Sequence, residues 1–204
     1  MLCPGDYVIV YGGIMVEVEH KELKRIYDPI ICSMCRDNFK YFGFSPGDSI
    51  NLRYISDKNQ ARRANYCPQD NVMEINIDSV HAFYSERKPW RVEFMILHEL
   101  YHKYQCQVLV GYRQKMTIGV SAEVAESWLK NYRNYIPSLN ENGKGNPEYY
   151  KQPWEFDANV YAYAVMQYKY GDVSYLKDCV PGCYGKDFYE KADEWCQRFR
   201  EMGI

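Results

Sequence analysis

No apolar run in this chain is long enough to cross a membrane. The longest, Tyr7-Val8-Ile9-Val10-Tyr11 and Phe94-Met95-Ile96-Leu97, are core-sized, well short of the roughly 20 residues that a helical span needs. Charge of one sign is missing too: 25 Lys and Arg against 27 Asp and Glu leave a net charge of −2, which argues against a nucleic-acid or acidic-membrane partner. The opening Met1-Leu2-Cys3-Pro4-Gly5-Asp6 has no basic stretch leading into an apolar one. Export by a signal peptide is therefore not expected, and the eight cysteines are read as reduced thiols in a cytoplasm. Internal repeats and low-complexity tracts are absent, and with 47% apolar residues the composition is far from that of a disordered chain. A chain of 204 residues suits one domain whose core needs no disulfide. Histidine is the scarcest informative residue: four are present, His20, His81, His98 and His102, and none follows His102.

The patterning runs from strands to helices. Residues 6–11 and 14–19 flank Gly12-Gly13 and predict a short hairpin. Helical spacing over 21–42 is interrupted by Pro29, which is expected to break or restart the helix. Residues 49–55 and 72–78 alternate with period two and predict half-buried strands, joined by a polar loop that contains Cys67-Pro68. A short helical piece over 79–86 precedes a long helix from about Pro89 to Cys106. Further helices are expected over 121–134, capped by Ser121, over 154–170, ended by Gly171-Asp172, and over 186–201. The stretch 137–153, rich in Pro, Asn and Gly, reads as a loop. The fold class is therefore α+β. It is expected to be one domain over 1–204, with an N-terminal extension (1–48), strands and a functional helix (49–106), an inserted helix and loop (107–153), and two closing helices (154–204).

The long helix carries His98-Glu99-Leu100-Tyr101-His102. Residues i and i+4 share a helix face, so both imidazoles reach one cation. The glutamate between them is placed to take a proton from water whose pKa a zinc ion has lowered. Val92, Phe94, Met95, Ile96 and Leu97 just before the motif predict a buried helix, and so rigid ligands. A catalytic zinc usually has three protein ligands and one open position. With no histidine downstream, a later third ligand has to be a carboxylate or, less suited to hydrolysis, a thiolate. Glu155, which opens the helix after the loop, competes for this role with Glu123 and Glu126 at the start of the 121–134 helix. Ala158 and Ala162 lie on one face of the Glu155 helix and would let it approach the metal helix closely.

Taken together, His98-Glu99-Leu100-Tyr101-His102 and Glu155-Phe156-Asp157-Ala158-Asn159-Val160-Tyr161-Ala162 resemble the two motifs of the minimal gluzincin peptidases of the ImmA/IrrE type. These carry His-Glu-x-x-His and, on a later helix, Glu-x-Glu-Ala-Asn-x-Phe-Ala. The resemblance covers the two helices only and is divergent. Asp157 stands where the second glutamate is usual, the interval from His102 to Glu155 is long, and Val165-Met166-Gln167 replaces a Leu-Met-Pro ending. It implies a zincin-like fold, a small sheet packed on helices around the metal helix. It also implies Glu155 as third zinc ligand, Glu99 as general base, and a protein or peptide substrate.

Supporting roles are assigned from position. Asp157 and Asn159 are candidates to hold an imidazole by its other nitrogen. Tyr161, Tyr149, Tyr150 and His81 are candidates to donate to the oxyanion of the transition state. Cys32, Cys35, Cys179 and Cys183 have spacings that allow a second, structural zinc. The helix-like setting of the first pair argues against it, so one catalytic zinc is the expected cofactor. The competing expectation is a metal-binding interaction module without turnover.

Overall fold

The strands do not all come first: the helix over His20–Asn38 separates the first two strands from the other three, and helices follow from there on. The computed structural model describes residues 7–11, 14–18, 20–45, 47–57, 63–116, 119–139 and 145–204, with side chains from residue 21 onward. The elements are β1 (Tyr7–Tyr11), β2 (Ile14–Val18), α1 (His20–Asn38), a 3-10 turn over Phe39–Phe42, β3 (Asn51–Ile55), β4 (Ala64–Cys67), β5 (Val72–Asn76), α2 (Ile77–Ser85), α3 (Trp90–Arg113), α4 (Ala122–Arg133), α5 (Pro147–Lys151), α6 (Pro153–Tyr170), a 3-10 turn over Ser174–Asp178, and α7 (Lys186–Met202). β1 and β2 pair antiparallel, Tyr7 opposite Val18 and Tyr11 opposite Ile14. The Gly12-Gly13 turn expected between them lies outside the described residues. Among the described residues no helix is long and apolar enough to cross a membrane.

Four expectations need correction. α1 runs unbroken through Pro29. Its buried stripe, Leu23, Tyr27, Ile31 and Cys35, repeats every four residues, and Pro29 falls on the exposed side. The core contacts of that stripe outweigh one missing backbone bond. Second, the polar loop between the expected strands contains β4, which pairs antiparallel with β5. β5 is therefore central, with β3 parallel on its other side, in the order β3-β5-β4. Third, the 137–153 loop contains α5, whose N-cap Asn146 accepts the Glu148 amide at 3.1 Å. Fourth, the long helix continues past Cys106 to Arg113.

α3 is the axis of the molecule. It packs most extensively on α6, and also on α1, α4 and β4. Ile96, Leu97 and Leu100 are fully buried on it. On α6, Ala158 and Ala162 are fully buried, and their small side chains allow the two helices to approach closely. At the β4–β5 turn, Asn71 takes a positive φ of 50°, a conformation that asparagine tolerates better than most residues. Its side chain donates to the Ser49 carbonyl at 2.8 Å and accepts from Lys103 Nζ at 2.8 Å and Tyr66 OH at 3.2 Å. Lys103 follows His102 on α3, so this knot fastens β4 against the metal helix.

A second buried knot sets α3 relative to α1 and α6. Glu93 on α3 is 6% exposed. Its carboxylate accepts from Lys169 Nζ, from Asn38 Nδ2 at 3.2 Å and from Tyr170 OH at 2.7 Å.

Candidate metal centre

α3 and α6 bring His98, His102 and Glu155 together. Their ligand atoms form the only group of three or more metal-binding side chains among the described residues. Nε2 of His98 lies 3.0 Å from Nε2 of His102 and 3.1 Å from Glu155 Oε2, and His102 Nε2 lies 3.5 Å from Glu155 Oε1. The two rings stand at 88° with centroids 4.6 Å apart. Glu155 is 1% exposed.

Hydrogen bonding fixes which ring nitrogens are free. Gln105, one turn after His102, is fully buried. Its Nε2 donates to the Trp154 carbonyl at 3.1 Å, which can only accept. Its Oε1 therefore faces His102 Nδ1, at 2.8 Å, and Nδ1 carries the proton. A neutral His102 then points a lone pair from Nε2 at the His98 nitrogen and at a carboxylate. Acceptors aimed at one another repel unless a cation lies among them.

The spacing fits zinc. A tetrahedral ion with ligands at about 2.0–2.1 Å sets them about 3.3 Å apart, and the observed separations of 3.0, 3.1 and 3.5 Å bracket that value. Without a cation, a proton takes its place. Burial acts to lower the pKa of His102, but the Glu155 charge and hydrogen bond outweigh it and raise the pKa. Burial acts to raise that of Glu155, yet His102 and His98 hold it well below the usual carboxylate range. Trp154 stacks on the His102 ring, centroids 5.5 Å apart and 7° from parallel, which leaves the imidazole little freedom to turn.

Glu99 is 6% exposed. Burial raises its pKa, while the charges of His98 and His102 and, more weakly, the Tyr66 backbone amide oppose that rise. β4 therefore contributes directly to the site. A carboxylate pushed up in this way is suited to gaining and losing a proton.

Several side chains lie elsewhere than the sequence suggests. Glu123 is exposed at the start of α4, and Glu126 accepts from Tyr112 OH at 2.7 Å; neither joins the group. Asp157 points away from the imidazoles and accepts from Trp128 Nε1 at 2.7 Å. Two residues along a helix from Glu155, it has to face another way. Asn159 donates to the Glu155 backbone carbonyl at 2.9 Å and to Tyr184 OH at 3.0 Å. The side chain that orients an imidazole is instead Gln105, three residues after His102.

Of the oxyanion candidates, Tyr161 is 4% exposed and donates to the Tyr41 carbonyl, which commits it to the core. His81 sits on α2 with Nδ1 3.0 Å from Tyr27 OH. Tyr150 is exposed, and its carbonyl accepts from Tyr184 OH at 2.8 Å.

Tyr149 does reach the site: its ring meets that of Tyr135 edge to face, centroids 6.1 Å apart, and it feels the Glu155 charge. Tyr135, not anticipated, donates to Glu155 Oε1 at 2.7 Å. Burial and then the Glu155 charge raise the pKa of both phenols, so both remain neutral donors. The segment that carries them is held by Gln152, which is buried. It accepts from Asn131 Nδ2 at 2.7 Å and Ile136 N at 3.1 Å and donates to Ile136 O at 3.0 Å. The seven described cysteines are free thiols, with Cys32 and Cys35 on α1 and Cys179 and Cys183 after α6.

If Gln105 sets the His102 tautomer, Gln105→Leu weakens zinc binding by roughly 10–100-fold, the usual effect of losing such a partner. Competition titration against a chelator measures it, and unchanged affinity would mean that the ring is held in another way. Compared with protein-family models, curated proteins and solved structures, the chain matches none.

Proposed function

We propose that this protein is a zinc-dependent hydrolase of the zincin type that cleaves peptide bonds. The observation that carries the proposal is the convergence of two imidazole nitrogens and a buried carboxylate, 3.0–3.5 Å apart, beside a second carboxylate that is not one of the three. A zinc ion held by His98, His102 and Glu155 supplies Lewis acidity, bringing the pKa of water toward neutrality and polarising a carbonyl.

The remaining work falls to the chain's own side chains. Glu99 takes a proton from the attacking water and passes it to the departing amine. Its elevated pKa helps it hold that proton between the two steps. Tyr149, a neutral phenol close to Glu155, is placed to donate to the substrate oxygen as it gains charge, while the one Tyr135 hydroxyl proton stays on Glu155 Oε1. Gln105 and Trp154 keep His102 aligned. The small mixed sheet on the metal helix agrees with a zincin-like arrangement. The partner is a protein or peptide substrate.

The test combines metal analysis with turnover. Purified protein should carry about one zinc equivalent, lost in a His98→Ala, His102→Ala variant. Zinc-loaded protein incubated with a proteome-derived peptide library should yield new termini detectable by mass spectrometry, and chelation should abolish them. A stoichiometric zinc complex that cleaves no library peptide would identify a metal-binding interaction module instead.

A further inference from the structure

On the far side of α6 from the metal ligands lies a cavity of about 290 Å3 between α3, α4, α6 and α7. Tyr101, Trp128 and Val160, all buried, line it together with Val124 of α4 and Trp195 of α7. Charges of both signs surround this aromatic slot. Asp157 of α6 lines it, and α7 contributes Lys191, Glu194 and Arg198 along one face.

Few of these charges are spent on one another. Among the described residues Glu194 and Arg198 form no ion pair within 4.0 Å, and Lys191 meets Asp157 only at that limit, 4.0 Å. The Asp157 carboxylate is fixed through Oδ2 by the Trp128 indole at 2.7 Å. The Arg198 guanidinium lies over the Trp195 ring, 4.9 Å from its centroid. Carboxylates and cations set around an apolar slot complement a small molecule that bears both charges and an apolar group. The volume lies just below the range of sites for drug-sized ligands, so the occupant is of single-amino-acid size.

We infer that this slot binds a free α-amino acid with an aromatic or large apolar side chain. Asp157 and Glu194 receive the ammonium, Arg198 receives the carboxylate, and the side chain lies between Trp128, Trp195 and Tyr101. The inference is independent of hydrolysis at the metal centre. Trp128 does link the two places, because it contacts Trp154, with ring centroids 6.4 Å apart, and Trp154 stacks on His102.

L-phenylalanine titrated into the intact zinc-loaded protein tests the inference, followed by calorimetry and by the emission of Trp128 and Trp195. One-site saturation is expected with Kd of about 1 mM or tighter. N-acetyl-L-phenylalanine lacks the ammonium and phenethylamine lacks the carboxylate, so each should bind at least about ten-fold more weakly, as loss of a charge-assisted contact predicts. Arg198→Gln, on the exposed rim, should cost about as much. Val124→Trp, a half-exposed position that fills the slot from α4, should abolish binding. Chelated protein should bind as the zinc form does. The inference is overturned if no saturation occurs by about 10 mM, if either analogue binds equally well, if both variants bind normally, or if chelation removes binding and so places the ligand on the metal.

Discussion

The Glu99→Gln protein is expected to keep its zinc and lose peptide hydrolysis by a factor on the order of 10²–10⁴, the usual contribution of a positioned general base. The exchange is clean. Glutamine keeps the shape and length of the glutamate side chain in the buried site. It also removes a carboxylate from a site where burial disfavours its charge, so the fold should be unharmed or slightly firmer. Only the ability to accept a proton is lost. The same preparation should be assayed for zinc content and for cleavage of a peptide identified in the library screen. If metal is stoichiometric and turnover stays above about a tenth of the parent rate, well outside the range expected for a lost base, Glu99 does not do the work assigned to it.

The largest expected effect on stability lies away from the metal. Lys169→Met should cost about 3 kcal/mol, the lower end of what breaking a buried ion pair costs. It leaves the Glu93 carboxylate, 6% exposed, with only the neutral donors Asn38 and Tyr170. The double variant Glu93→Gln, Lys169→Met should recover most of that loss, since an amide needs no counter-charge there. Urea unfolding followed by far-UV circular dichroism measures both variants. A loss below about 1 kcal/mol for the single variant would place this pair with ordinary surface pairs. The knot joins α1, α3 and α6, so it also helps to fix the relative position of the helices that bear the proposed ligands.

The pattern of apolar residues predicts most of the helices, and residue chemistry predicts the metal group. His98 and His102 are legible because i, i+4 spacing alone puts two imidazoles on one face. Glu155 became legible through its small-residue helix, with Ala158 and Ala162 both fully buried against α3. What escaped depends on long-range placement. β4 has four half-buried residues, too few for a period to emerge from a polar stretch, and its pairing with β5 is what makes it a strand. Tyr135 lies in a segment without periodicity, brought to Glu155 by Gln152 and Asn131 from the neighbouring helices. Gln105 was legible in principle, one turn from His102, but a glutamine on a helix is more often solvated. Asp157 was misjudged for the opposite reason: nearness to Glu155 in sequence turned it toward Trp128 instead of the imidazoles.

His98 and Glu155 stand 57 positions apart in the chain. An ion shared between them works as a reversible staple, closing a loop that an unfolded polypeptide would leave open. Cross-links over such spans are worth up to a few kcal/mol in the loop-entropy picture. Starvation for the metal would then do more than silence chemistry: lifetime in the presence of proteases would come to depend on metal supply.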